Sequence, residues 1–366
     1  MSESFVTSIS APGRSVRVRA RELSERGLAM LLPSVGEYPV YDQRLYRFML
    51  DDHLRNDRYA EAVARLAPGR TVLDIGTGQE AVWALAAARA GAEHVWAVEV
   101  IPASARAARE AVARAGFADR VTVLEGLSTE VGLPTRADVC VSEIIGNLGG
   151  SEGAGAVLRD ARERLVKPGG AFIPHRSATT VVALDLSHAV PGGEPGFVDA
   201  ALPYLEDVFT AVGRPFDVRA CIPGLRRRAH LSPVAEVEPL DFAGALAPES
   251  EVPVTLPITR RGRLHGFALG VRLWVGANDA PVDSLAQRCN WFPVYAPLSP
   301  GGLPVGPGDS VEFTFSTTLS DDGVHPDYRL EGHLHAAAGS VPIAWSSSHH
   351  DDGFRASGFY RELFPR

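Results

Sequence analysis

Cysteine is scarce in this chain, with three in 366 residues: Cys140, Cys221 and Cys289, odd in number and far apart. Such a set gives neither a disulfide framework nor a zinc-ligand spacing. Long apolar runs are also missing. No stretch approaches the ~18 residues of a membrane-spanning helix. The start, Met1-Ser-Glu-Ser-Phe5, lacks the charged and then apolar order of a secretory leader. Basic runs are short, the longest being Arg226-Arg227-Arg228 in a chain of net charge −8. A general nucleic-acid binder or a membrane-surface protein would carry a basic patch, so neither is expected. These absences leave a cytoplasmic globular protein as the expectation, with room for roughly two domains of ~150 residues each.

Glycine, by contrast, is placed with purpose. Residues 72–80 read Val-Leu-Asp-Ile-Gly-Thr-Gly-Gln-Glu, and the next apolar run, Val95-Trp96-Ala97-Val98, ends in Glu99. An apolar strand that breaks into glycines, then a helix, then a strand closed by a carboxylate is a nucleotide-binding half-fold. The glycines admit a ligand where side chains would clash, and the acid is placed for the two hydroxyls of a ribose. Asp74, Gly76, Gly78, Glu99 and the adjoining Val100 are therefore the expected cofactor set. The spacing resembles that of methyltransferases using S-adenosylmethionine and is not the G-x-G-x-x-G of a nicotinamide enzyme. Gln79-Glu80 occupies the place of the usual third glycine. A nicotinamide-dependent dehydrogenase is the alternative from another class, since Glu99 would suit a ribose there too.

Strand and helix patterns alternate through this region. Strands are expected over 71–75, 94–98, 121–125, 137–142 and 170–173, the last beyond a Pro168-Gly-Gly turn. Helices are expected over 81–90, 104–115 and 153–165. Alternation of this kind predicts an α/β fold, a doubly wound Rossmann-like sheet. After Pro174 the pattern changes to short β-rich runs, including 179–184, 266–275 and 310–315, which predict a β-barrel-like part. The expected division is a lead-in over 1–40, a cofactor-binding domain over 41–175 and a β-barrel-like substrate domain over 176–366, interrupted by a polar and aromatic insert at about 190–230.

Two further segments carry chemistry. Ser128 and Thr129 follow the strand 121–125, on the loop that in this fold brushes the adenine. Ser142-Glu143-Ile-Ile-Gly146-Asn-Leu-Gly149-Gly150-Ser-Glu152-Gly153 begins at a strand end, where open α/β sheets bind ligands. Its glycines let the chain double back, so that Glu152 faces the same space as Glu143. Elsewhere, His333 and His335 share a strand face but lack a third ligand. His349-His350-Asp351-Asp352 resembles a metal cluster and is read as a solvated turn before an aromatic tail, so no metal is expected.

From about residue 40 to 335 the chain resembles the protein arginine methyltransferases. Met49-Leu-Asp-Asp-His-Leu-Arg55-Asn-Asp-Arg-Tyr59 is similar to that family's M-L-x-D-x-x-R-x-x-x-Y helix, whose arginine holds the cofactor carboxylate. Glu99 resembles its ribose acid, and Glu143 and Glu152 its paired glutamates; Glu143, at its strand end, is also expected to border the cofactor. Cys289-Asn290-Trp291 resembles its threonine-histidine-tryptophan loop, and the insert at 190–230 its dimerisation arm. The resemblance implies S-adenosylmethionine as cofactor, catalytic Glu143 and Glu152, and a homodimer. Asn290 and Trp291, with the N-terminal aromatics Tyr41 and Tyr46, are the expected substrate contacts. Asn290 replaces the loop histidine, and Ile144, Ile145, Gly149 and Gly150 stand where bulkier residues are usual. These departures favour a small metabolite as acceptor, methylated at an electron-rich nitrogen or an aromatic carbon such as that of indole. Protein arginine N-methylation is the alternative.

Overall fold

The computed structural model describes residues 4–22, 31–35, 49–189, 195–337 and 339–366. The chain opens with β1 (Ser4–Ala11) and β2 (Arg14–Arg21), an antiparallel hairpin whose turn uses Gly13 at φ 69°. Next comes the short β3 (Leu32–Ser34). The expected lead-in is thus partly built structure. Helix α1 (His53–Leu66) is capped by Asp52, which accepts from the Arg55 N–H. Arg55, Tyr59, Ala62 and Val63 give it one buried face at helical spacing.

Alternating units follow: β4 (Thr71–Ile75), α2 (Val82–Arg89), β5 (His94–Glu99), α3 (Pro102–Arg114), β6 (Val121–Glu125), β7 (Ala137–Ser142), α4 (Ala154–Asp160) and β8 (Val166–Ile173). The five strands form a parallel sheet in the order β6-β5-β4-β7-β8. Strand β4 is central and buried on both faces, as a sheet covered by helices on either side requires. Chain order reverses at β4, so the crevice above the ends of β4, β5 and β7 is the ligand side. Two expectations change in detail. Helix α4 stops at Asp160 and passes into a wider π-type turn over Ala161–Leu165. The Pro168–Gly170 segment lies inside β8, where Gly169 at φ 76° and a register shift against β7 absorb it.

Beyond Pro174 the strands are antiparallel apart from one short pairing. In chain order they are β9 (Arg176–Leu184), β10 (Phe197–Val198), β11 (Arg219–Cys221), β12 (Ala235–Asp241), β13 (Ser250–Pro257), β14 (Gly262–Leu264), β15 (Gly266–Trp274), β16 (Val282–Asp283), β17 (Val294–Pro297), β18 (Leu303–Val305), β19 (Ser310–Leu319), β20 (Pro326–Ala336) and β21 (Gly339–Ser347). One sheet runs β12-β9-β15-β17-β11-β3, with β16 beside β15, and so takes in a strand from the chain's start. A second runs β13-β19-β20-β21. In β19, Val311, Phe313, Phe315 and Thr317 turn inward while their neighbours face water, the alternation of a one-sided sheet.

The insert contains helix α5 (Leu202–Ala211), which packs against β1, and β10, which pairs in parallel with β2. The aromatic tail, with helix α6 (Gly358–Leu363), joins the same core: Phe364 lies 5.7 Å from Phe197 and 6.0 Å from Phe209, centroid to centroid. Among the described residues no helix is long and apolar enough to cross a membrane.

Candidate functional site

The glycine turn is braced from below. Asp74 is fully buried, and its Oδ2 accepts from the Thr77 hydroxyl at 2.6 Å and the Ala84 N–H at 3.0 Å. Burial pushes its carboxyl up to about 7. This expected cofactor residue fastens the turn to α2. Gly76 and Gly78 take φ 75° and 64°, and a Cβ on Gly76 would stand 2.9 Å from Ile144 Cγ2. Only glycine fits this cradle without displacing Ile144. Where the third glycine is missing, Ala81 takes the left-handed turn itself, at φ 46°, a rare state for a residue with a Cβ.

Glu99 closes β5 and is nearly buried. Its Oε2 accepts from the Gly78 N–H and its Oε1 from the Ile101 N–H, each at 2.9 Å. Each oxygen keeps a lone pair for a hydroxyl, so the pair fits a ribose. Val100 beside it is exposed. Ser128 is buried and Thr129 half-buried on the loop after β6, where the Arg164 guanidinium binds the Ser128 carbonyl at 2.8 Å.

On the other flank, Arg55 joins two other expected residues. Its Nη1 lies 2.9 Å from Glu143 Oε2, and its Nη2 donates to the Met49 carbonyl at 2.6 Å. Asp52 ties in the loop after β16: its Oδ2 accepts from the Asn290 N–H at 2.8 Å. Trp291 is buried and spends its indole N–H on the Ile145 carbonyl at 2.6 Å. This expected substrate residue props the glutamate loop. Tyr41 and Tyr46 lie outside the described residues.

The glutamate loop is held from the antiparallel part by residues that sequence reasoning missed. Asn147 donates to Ser34 Oγ at 3.1 Å and accepts from the Phe292 N–H at 2.6 Å. Glu238 of β12 is buried and takes three donors: the Gly150 N–H at 3.2 Å, the Tyr328 hydroxyl at 3.1 Å and the Thr179 hydroxyl. Burial pushes its carboxyl up to about 7, against the pull of those hydrogen bonds. A Cβ on Gly150 would meet Glu238 Oε1 at 2.3 Å, and one on Gly149 would meet Ser177 Oγ at 2.6 Å. Both glycines therefore press toward β9 and β12 and leave no room there for bulk. Nothing local in the sequence marks Glu238, an acid in an ordinary strand.

Glu143 and Glu152 share one space. Gly146 permits it, since a Cβ there would sit 2.1 Å from Ser151 Oγ and 3.3 Å from Glu152 Oε1. Among the described residues no hydrogen bond reaches the Glu152 carboxylate. Burial, and then the charge of Glu143, push it up to about 8. Burial raises Glu143 as well, with the Arg55 guanidinium opposing. Two carboxylates with one close cation form a site short of positive charge, suited to a cationic acceptor. Arg219 of β11 lies near enough to lower the Glu152 carboxyl, and it is itself buried against Asp217, 3.5 Å away.

The comparisons with known proteins agree with this geometry. The profile of the family described as ribosomal protein L11 methyltransferase (PrmA) matches residues 59–174. An arginine N(omega)-methyltransferase of Streptomyces achromogenes subsp. streptozoticus is 33% identical over 280 residues, covering 72% of this chain and 73% of the relative. Protein arginine N-methyltransferase PRMT10 of Oryza sativa subsp. japonica is 40% identical over 129 residues, 34% of this chain and 33% of its own length. Among solved structures, protein arginine methyltransferase 10 of Arabidopsis thaliana superposes with a TM-score of 0.66 at 19% identity, covering 84% of this chain and 97% of that one. A Trypanosoma brucei PRMT1 enzyme-prozyme complex with AdoHcy gives the same score over 85% and 99%. The chain belongs to the protein arginine methyltransferase family and is an S-adenosylmethionine-dependent methyltransferase.

Proposed function

We propose that the protein methylates the guanidine nitrogen of arginine, with Glu143 and Glu152 gripping the acceptor. The observation that carries this reading is the cation-poor pair of carboxylates folded onto one space by Gly146. The names of the relatives, arginine and protein arginine methyltransferases, support a guanidine over the indole ring preferred from the sequence. The glycines that favoured a small aromatic acceptor also have another explanation, because Gly149 and Gly150 answer to Ser177 and Glu238.

In this reading Glu99 holds the ribose hydroxyls, Gly76 and Gly78 line the cofactor, Ser128 and Thr129 border the adenine, and Arg55 with Met49 borders its amino-acid end. Bound there, S-adenosylmethionine supplies an electrophilic methyl group. The chain's own work is alignment and polarisation. Two carboxylates that hold two guanidinium nitrogens draw the positive charge toward them and leave the third with a usable lone pair. Glu152 can take the proton which that nitrogen sheds. Self-association through the insert, and a cytoplasmic location, go with the same proposal.

Labelled S-adenosylmethionine supplied with L-arginine, an arginine-rich peptide or a tryptophan dipeptide tests the acceptor. Label is expected on guanidine nitrogen; label on the indole with both guanidines silent would overturn the reading. The pH profile gives a second test. Glu152, at about 8, is neutral below that pH and anionic above it, whereas arginine stays cationic throughout. Activity should therefore rise with pH: kcat/KM, which reports the free enzyme, should climb about tenfold per pH unit below 8 and then level. A profile flat from about pH 6 to 9 would remove Glu152 from the grip.

A further inference from the structure

The turn between β19 and β20 meets the segment just after β21 and gathers Asp322, His349 and His350, whose donor atoms all lie within 4.8 Å of one another. His349 Nε2 is 3.7 Å from Asp322 Oδ2, close to the ~3.3 Å between two ligands held at ~2.0–2.1 Å by a tetrahedral ion. His350 is fixed from behind. Its Nδ1 donates to Asp321 Oδ1, which leaves Nε2 as the lone-pair nitrogen. That Nε2 is buried and has no hydrogen-bond partner among the described residues. A carboxylate behind an imidazole orients a metal-binding histidine and raises its basicity. Asp322 is divided in the same way. Its Oδ1 ties the turn, accepting from the Val324 and His325 N–H groups at 2.8 and 2.9 Å, while Oδ2 meets the His325 Nδ1 at 2.6 Å and keeps a lone pair toward His349, 3.7 Å away.

We propose that Asp322, His349 and His350 form a binding site for one divalent transition-metal ion of the zinc kind, separate from the methyl-transfer site. Two imidazoles and one carboxylate suit such an ion better than the all-oxygen sets of magnesium or calcium. Three protein ligands leave a fourth position for water. The ion would clip the aromatic tail to the 320–325 turn. Val324 of that turn stands where a Cβ on Gly153 would be 2.6 Å from it, one residue beyond Glu152. Metal binding would therefore stiffen a wall of the glutamate loop.

Zn2+ titrated calorimetrically into untagged, chelator-treated full-length protein should bind at one equivalent and raise the unfolding temperature, and Mg2+ should do neither. Asp321 is 76% exposed in its side chain, so Asp321→Asn leaves the fold undisturbed and should weaken Zn2+ binding roughly 10–100-fold. His350→Ala should abolish the one-equivalent binding. The double change His333→Ala and His335→Ala, on a surface pair of β20 with rings 6.1 Å apart, should leave it unaltered. Absence of saturable binding, wild-type affinity in His350→Ala, or loss in the β20 variant would each overturn the site.

Discussion

Glu152→Gln is expected to lower kcat by roughly 10²–10³ while leaving affinity for S-adenosylhomocysteine unchanged. Removing one charged partner of a developing transition-state charge costs about 3–4 kcal/mol, and Glu152 has no second duty to lose. No hydrogen bond from the described residues reaches its carboxylate, and its nearest constraint is the close approach of Gly146. Glu143→Gln should behave differently. Glu143 Oε2 pairs with Arg55 at 2.9 Å, and Arg55 in turn holds the Met49 carbonyl. That substitution should weaken cofactor binding as well as slow turnover. Steady-state kinetics on both variants, with calorimetry of S-adenosylhomocysteine binding, separate the two roles. Unchanged turnover in Glu152→Gln would end the case for a paired grip.

Glu238→Ala should destabilise the protein by about 3–5 kcal/mol, although Glu238 is outside the expected cofactor and acceptor residues. The change strands three buried donors, the Gly150 N–H and the Thr179 and Tyr328 hydroxyls. Each stranded group costs on the order of 1–3 kcal/mol, partly relieved by relaxation. Glu238→Gln should stay within about 1 kcal/mol of the parent, because an amide oxygen can serve Gly150 and Thr179 while the amide N–H meets the Tyr328 oxygen. The raised carboxyl, at about 7, already makes a neutral side chain tolerable there. Denaturant titration followed by fluorescence measures both. Equal losses in the two variants would mean that packing volume, and not the hydrogen bonds, holds the loop.

The cofactor half of the site was legible because its signals are local. A continuous apolar strand, glycines at fixed spacing and a carboxylate at the next strand's end lie within residues 72–99. Each answers to backbone geometry that few other residues satisfy. The bracing of the glutamate loop was not legible. Glu238 is 88 residues from Gly150, and an acid in a β-strand reads as water-facing until the sheet that buries it is known. The N-terminal hairpin, placed within the lead-in, was only partly legible. The alternation from Ser15 to Ala20 is visible in the sequence, but its partners include β10, far along the chain. The intramolecular duties of Asp74 and Trp291, on the Thr77 hydroxyl and Ala84 N–H and on the Ile145 carbonyl, were not legible either, because a motif preserves a residue without saying which neighbour it serves.

The contact between Gly150 and Glu238 also bears on how such a chain can diverge. With Glu238 Oε1 only 2.3 Å from where a Cβ at 150 would stand, a larger residue there is barred while the acid remains. Loss of the acid first leaves the loop unbraced. The route between this loop and a bulkier one therefore runs through a neutral or shorter residue at 238, and the order of changes is constrained. Among relatives, an acid at the position of 238 should accompany glycine at the position of 150, and the two should be replaced together.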